Sequence, residues 1–303
     1  MNHFFDIQVN GYSGVDFNTD NLTGEQLHLA CTALRRDGVH SVLATIITEE
    51  LGTMQRRIAR LVELRKRDEL VREVIAGIHI EGPFLNETTG YRGAHPADAM
   101  RPANTEDAKL LLDAGGGLVR LVTLAPERDA GSHTTRYLSE NGVCVSAGHS
   151  DASLNDLRAA IDSGLTLYTH LGNGCPMQMH RHDNIIQRAL SLSDNLMLCF
   201  IADGVHIPFF ALKNYLRAAG IKRCLITSDA VAPAGLGPGR YSFARWTVNV
   251  GDDLAVRAPD GSHLIGSAIS MKRSANNLST ELGLSDDQIR LLCADNPRLA
   301  VGL

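Results

Sequence analysis

The chain has 303 residues, 44% hydrophobic and 21% charged, with a net charge of −5 when histidine is counted as neutral. That length suits one large α/β barrel, which takes about 250 residues, or two ordinary domains. The mild acidity argues against a nucleic-acid partner, and no apolar run approaches the ~20 residues of a membrane span.

Residues 1–5 carry no basic stretch leading into a long apolar run, so no secretory signal is expected. Short apolar runs then alternate with helical patterns to the end of the chain. The strand candidates are 4–11, 41–48, 74–82, 118–126, 143–149, 166–173, 196–204 and 224–230. Each is rich in Val, Ile or Leu at successive positions, the pattern of a strand buried on both faces. Between the first two, Thr23-Gly24-Glu25-Gln26 reads as a capping box. Leu27, Ala30, Cys31 and Leu34 follow as a helical stripe that stops at Asp37-Gly38. Residues 56–64, 107–114, 153–163 and 209–219 read as helices too, the last two closed by Gly164 and Gly220.

Residues 233–263 break the rhythm. They are Gly/Pro-rich and then strand-like at 245–250 and 254–258, with a turn at Pro259-Asp260-Gly261, which predicts a β-hairpin insertion after the eighth strand. A helix at 267–282 and another opened by the capping box Ser285-Asp286-Asp287-Gln288 complete the chain. Eight βα units with no linker and no GxGxxG after the first strand predict a (β/α)8 TIM barrel as one domain over 1–303. The six cysteines (Cys31, Cys144, Cys175, Cys199, Cys224 and Cys293) form no CxxC pair and mostly fall in apolar runs. Reduced, packed thiols in a cytoplasmic protein are the expectation.

Barrel enzymes keep their chemistry at the C-terminal ends of the strands. Here those ends read Gln8-Val9-Asn10, His79-Ile80-Glu81-Gly82, Gly148-His149-Ser150, Thr169-His170-Leu171-Gly172-Asn173, Asp203-Gly204-Val205-His206 and Ser228-Asp229. Any one His or Asp has a bland reading, as a hydrogen-bonded structural group or the N-cap of the next helix. Five strands delivering such groups to one rim is different, because crowding ionisable groups is costly unless a cation or pairing compensates. One carboxylate and two imidazoles make the donor set of a catalytic zinc site, which polarises a carbonyl and acidifies a water. Asp229, alone on the last strand, suits the proton-transfer role beside it.

Six segments together resemble the N-acetylglucosamine-6-phosphate deacetylases of the amidohydrolase superfamily: Gln8-Val9-Asn10-Gly11, His79 to Phe84, Ser146 to Ser150, Thr169 to Asn173, Ile201 to His206 and Thr227 to Gly235. The resemblance runs in register from Asp6 to about Leu303. It implies Glu81, His149 and His170 as metal ligands and Asp229 as the catalytic acid/base. It also implies His95, Asn173, Gly174, Arg181 and His206 as substrate contacts, with Arg181 able to act across a homodimer. The cofactor implied is one divalent ion, zinc or else iron or another metal. Gln8 and Asn10 stand where other members of the superfamily carry HxH, and amides are poor zinc ligands beside imidazole. The substrate implied is a small amino-sugar phosphate whose N-acetyl amide is cleaved.

The chain departs from that family pattern in three places. The flanking β-sandwich of relatives is expected to be missing. The family's His-Leu-Tyr-Asn-Ala-Met becomes His170-Leu171-Gly172-Asn173-Gly174-Cys175, which removes side-chain volume. The stretch His180-Arg181-His182-Asp183-Asn184 includes an aspartate that would repel a phosphate unless a cation pairs with it. Two other readings remain: a hydrolase of another N-acyl or cyclic amide, and a metabolite-binding barrel without catalysis. Cyclic-amide enzymes commonly need HxH or a lysine after the fourth strand, where this chain has Leu124-Ala125-Pro126-Glu127. A decayed enzyme would be expected to have lost a ligand or the acid/base, and all four positions are filled. Cys175 reads as a pocket-wall residue, and His79 as either a neighbour of the metal or a packing residue.

Overall fold

The structure is a computed structural model that describes residues 3–243, 246–261 and 263–303. Residue 245, the expected start of the insertion's first strand, and residues 1 and 2 of the N-terminal reading lie outside the described residues.

Every predicted barrel run overlaps a strand: β1 Phe4–Val9, β2 Val39–Ile47, β3 Ile75–Glu81, β4 Val119–Leu124, β5 Cys144–Ala147, β6 Leu165–Tyr168, β7 Met197–Ile201 and β8 Cys224–Thr227. They pair in parallel in sequence order. The ring closes through a bridge between Val9 and Ala230, where Asn10 N–H donates to the Ala230 carbonyl at 2.7 Å. This is a (β/α)8 barrel.

The connecting helices bury one stripe each, as capped amphipathic segments do. In α1 (Gly24–Arg36) both halves of the Thr23/Gln26 capping box are present, and Leu27, Ala30, Cys31 and Leu34 are buried. The segment read as 56–64 is the longer helix α2 (Leu51–Arg67), because the Glu50 side chain caps the N–H groups of Gly52 and Thr53 a full turn earlier. Three short helices went unread, Glu69–Val74, His133–Glu140 and Ile185–Leu190; too few turns carry a 3.6-residue signal in segments of six to eight residues.

Two layers fill the barrel. At the bottom Phe5, Ile7, Leu43, Leu121, Leu167, Cys199, Leu225 and Val301 form an apolar plug. Above it Thr45, His79, Thr123, Ser146 and Thr169 are linked by hydrogen bonds, among them His79 Nε2 to Thr123 Oγ1 at 2.8 Å and Thr123 Oγ1 to Thr169 Oγ1 at 2.8 Å. The mouth lies above that polar layer.

The insertion after β8 is larger than the expected hairpin. Gly239–Phe243, Trp246–Val250, Ala255–Arg257 and Leu264–Ser267 make a four-stranded antiparallel sheet. Its apolar residues Val248, Val250, Val256 and Ile265 pack with Val231 and Ala232, against Ile47 and Ala94 at the barrel mouth. The first and last of its strands carry Gly239 and Gly266, which hid them from alternation. Among the described residues no helix is long and apolar enough to cross a membrane.

Candidate active site

Glu81 is the last residue of β3 and the centre of the mouth. Its Oε1 lies 3.0 Å from His170 Nε2 and 3.3 Å from His149 Nε2; its Oε2 lies 3.8 Å from His95 Nε2. All four side chains are buried. One oxygen of Glu81 and one nitrogen each of His95 and His149 fall within 4.8 Å of one another. His149 and His170 reach this point because their backbones leave the extended region, with φ of 51° and 31°. Asp229, at the end of β8, does the same with φ 49°. Left-handed backbone is strained for residues with a Cβ and clusters at functional sites. It also explains why β5 and β6 stop short of the predicted residues 149 and 173: the chain turns at the histidine to aim it inward.

The His149 ring is held from three sides. Its Nδ1 donates to the Tyr91 carbonyl at 2.8 Å, since a carbonyl can only accept. A Cβ on Gly93 would sit 2.9 Å from its Cε1, and one on Gly174 2.7 Å from its Nδ1. With a proton fixed on Nδ1, Nε2 is the ring nitrogen aimed at the Glu81 carboxylate. That arrangement calls for a cation, and a ligating imidazole with its other N–H on a carbonyl is the usual form of a metal site. The residues therefore fit a divalent metal: one carboxylate, two or three imidazoles, and a fixed tautomer. Behind His149, the Glu127 carboxylate accepts from Asn86 Nδ2 (2.8 Å), Ser150 Oγ (2.6 Å) and Asp151 N–H (2.7 Å), bracing three loops together.

The charges follow from burial and crowding. Burial pushes the Glu81 carboxyl up, but hydrogen bonds from His149 and His170 override it and hold it well below 4.5. Burial, and then the other imidazoles, bring His95 down to about 3, and burial brings His79 down to about 4, so both rings are neutral. Asp229 is raised to about 7, by desolvation first and then by the Glu81 charge. Asn10 Nδ2 donates to Asp229 Oδ1 at 2.9 Å. On the loop after β7, His206 Nδ1 sits 2.5 Å from Asp203 Oδ2.

Several known proteins are similar over most of this length. An N-acetylglucosamine-6-phosphate deacetylase of Bacillus subtilis is 31% identical over 98% of this chain and 74% of its own. An N-acetylgalactosamine-6-phosphate deacetylase of Shewanella is 34% identical over 93% of this chain and 68% of its own. The solved structure of a Mycobacterium smegmatis N-acetyl-D-glucosamine-6-phosphate deacetylase, an aspartate-to-alanine mutant in complex with N-acetyl-D-glucosamine-6-phosphate, superposes with a TM-score of 0.89. It is 29% identical and covers 99% of this chain and 77% of its own. No protein-family model matches the chain. The chain belongs to the N-acetylglucosamine-6-phosphate deacetylase family.

Seen as a member of this deacetylase family, the chain gathers some expected residues and leaves others aside. Glu81, His149 and His170 meet directly, and His95, expected to touch substrate, joins the same cluster. Asn173 is turned back, its Nδ2 donating to the His170 carbonyl at 3.1 Å. Gly174 packs its Cα against the His149 ring. Arg181 is exposed on the loop that follows. In that loop Asp183 has the cation it needs: Arg188 binds it at 2.6 Å and Asp151 at 3.1 Å. Cys175 is partly buried and its thiol is pushed up to about 11, in keeping with a wall. The supporting contacts of Tyr91, Glu127 and Asp203 escaped the sequence. Only Asp203 had a signal, as an Asp three residues before a His on one tight turn.

Proposed function

We propose that this barrel hydrolyses the N-acetyl amide of an amino-sugar 6-phosphate, releasing acetate and the free amine. The observation that carries the reading is the pairing of two unlike carboxyl groups at one mouth. Glu81 is ionised among imidazoles, and Asp229, raised to about 7, can take up and return a proton near neutrality. Membership of the deacetylase family supports the substrate class.

Glu81, His149 and His170 would hold a divalent metal, zinc or else iron or another ion of similar preference, with His95 beside them. When bound, that ion polarises the amide carbonyl and acidifies a water. Asp229 accepts the water's proton as the C–O bond forms, then delivers it to the nitrogen as the C–N bond breaks, so the amine leaves neutral. His95 and His206 offer ring nitrogens to the carbonyl and the sugar. Asn173, Gly174 and Arg181 contact sugar and phosphate in this reading. Arg181's exposure supports a role across a homodimer interface. The six cysteines are free thiols, which supports a cytoplasmic setting for a single hydrolase domain.

Acetate release from the zinc-loaded protein tests this. N-acetylglucosamine, N-acetylgalactosamine and N-acetylmannosamine are compared with and without the 6-phosphate. A phosphorylated sugar is expected to be the best substrate, and absence of acetate from all six would sink the reading.

A further inference from the structure

Alternation along β1 does not lead to the site it serves. Phe5 and Ile7 lie in the apolar plug inside the barrel, so the next inward residue by alternation is Val9. Instead Val9 packs outward under the helices, and the neighbours Gln8 and Asn10 reach Glu81 and Asp229. The switch is a bulge: Asp6 lies opposite Val42 and Val9 opposite Ala44, so β1 advances three residues while β2 advances two. Such bulges re-aim side chains beside active sites.

This bulge is anchored on both sides. Val9 N–H donates to Thr45 Oγ1 at 3.0 Å, and Gln8 N–H to Asp6 Oδ1 at 3.2 Å. Asp6, itself buried, accepts from the hydroxyls of Thr227 and Ser228 at the end of β8. The outcome is two amides, each clamped on a different carboxylate. Gln8 Nε2 donates to Glu81 Oε2 at 3.0 Å, and Asn10 Nδ2 donates to Asp229 Oδ1 at 2.9 Å. The partner oxygen Glu81 Oε1 is the one that faces His149 and His170. Among the described residues neither Gln8 Oε1 nor Asn10 Oδ1, both buried, has a hydrogen-bond partner. Orphaned buried acceptors are unfavourable, so apolar side chains would serve mere packing better.

We propose that Gln8 and Asn10 are positioning residues with separate charges. Gln8 turns Glu81 so that Oε1 faces His149 and His170, and Asn10 fixes Asp229 so that Oδ2 is left to carry the proton. The proposal rests on the hydrolase reading above.

Two variants separate the roles. Gln8→Met should weaken zinc binding about 10- to 100-fold, the usual effect of losing a partner of a ligand, in competition with a chromophoric chelator. Its loss of turnover should track zinc occupancy and shrink as zinc is raised to saturation. Asn10→Leu should keep zinc affinity and KM while kcat falls about 10- to 100-fold. Should Asn10→Leu fail to fold, Asn10→Ala, which removes the donor without adding a charge, carries the same expectation. The proposal is overturned if Gln8→Met stays as slow at saturating zinc as at limiting zinc, if Asn10→Leu loses zinc affinity, or if both behave as the unmodified protein. Chelator competition needs no turnover. A protein that releases no acetate from any sugar therefore defeats the hydrolase reading, while the Gln8 arm still gives its answer.

Discussion

Asp203 Oδ2 and His206 Nδ1 are 2.5 Å apart, and both side chains are almost wholly buried. The carboxylate also accepts the backbone N–H groups of Val205 (2.9 Å) and His206 (2.8 Å), so one side chain shapes the turn and orients the ring. Burial pushes the Asp203 carboxyl up, but these bonds override it and hold it below 3.8. A carboxylate can only accept, so the imidazole proton is on Nδ1 and Nε2 is the nitrogen offered to the mouth.

Asp203→Asn removes that constraint while keeping the shape. The expected loss is about 10- to 100-fold in kcat/KM, with bound metal unchanged, because His206 is not among the groups around Glu81. Steady-state kinetics with metal analysis checks it. Unchanged kinetics would show that the orientation of His206 is irrelevant to turnover.

Gly174→Ala should displace His149. The added Cβ would lie 2.7 Å from Nδ1, the atom bonded to the Tyr91 carbonyl, and the residue sits at φ 59°. Left-handed backbone alone is worth roughly 1–2 kcal/mol for alanine, so some fall in Tm is expected from that cause. The control is Gly117→Ala: φ is 82° but no atom of the described residues lies within 4 Å of its added Cβ. Both variants should lose Tm, and only Gly174→Ala should also lose metal affinity by chelator titration. Equal affinities would show that the ring has room to move.

Much of this was legible because strand ends are where continuous apolar runs stop and polar residues begin. Glu81, His149, His170 and Asp229 could be placed on one rim from that pattern, with the family resemblance supplying their roles. The bulge in β1 could not be read, since Val9 is as apolar as any inward residue and only the register reveals that it points outward. The first and last strands of the insertion were invisible for the reason given above. His95 was legible as a site residue but not as a neighbour of Glu81, because it arrives on an irregular loop with no period to count.

The metal-free protein should have an unusual pH dependence of stability. Desolvation and the Glu81 charge raise Asp229 from 3.8 to about 7 in the folded chain. A group raised on folding stabilises fully below its unfolded value, and that contribution is lost as pH rises through the folded one. Glu81 is held well below 4.5, so its contribution is present above 4.5 and lost only as pH falls through its lower folded value. Between about pH 5 and pH 8 only the Asp229 contribution changes of these two, and it declines. Thermal melts in chelator across that range should show the unmodified protein losing Tm relative to Asp229→Asn. Parallel curves would contradict the placement of Asp229 beside an ionised Glu81.

Zinc and turnover should come apart in the same variant. Zinc at a thousand-fold excess over its Kd stabilises by about 4.1 kcal/mol, which for a chain of this size corresponds to a Tm shift of roughly 6 °C. Asp229→Asn keeps Glu81, His149, His170 and His95 in place, so it should bind zinc and show nearly the full shift. Asparagine cannot take up a proton, so kcat should fall by about 10²- to 10⁴-fold, the range of general acid–base catalysis. Glu81→Gln is the converse: it leaves three imidazoles without their shared carboxylate and should abolish the zinc-dependent shift along with activity. A zinc shift that survives Glu81→Gln would place the metal elsewhere in the barrel. Substantial kcat in Asp229→Asn would give the proton transfer to another group at the mouth.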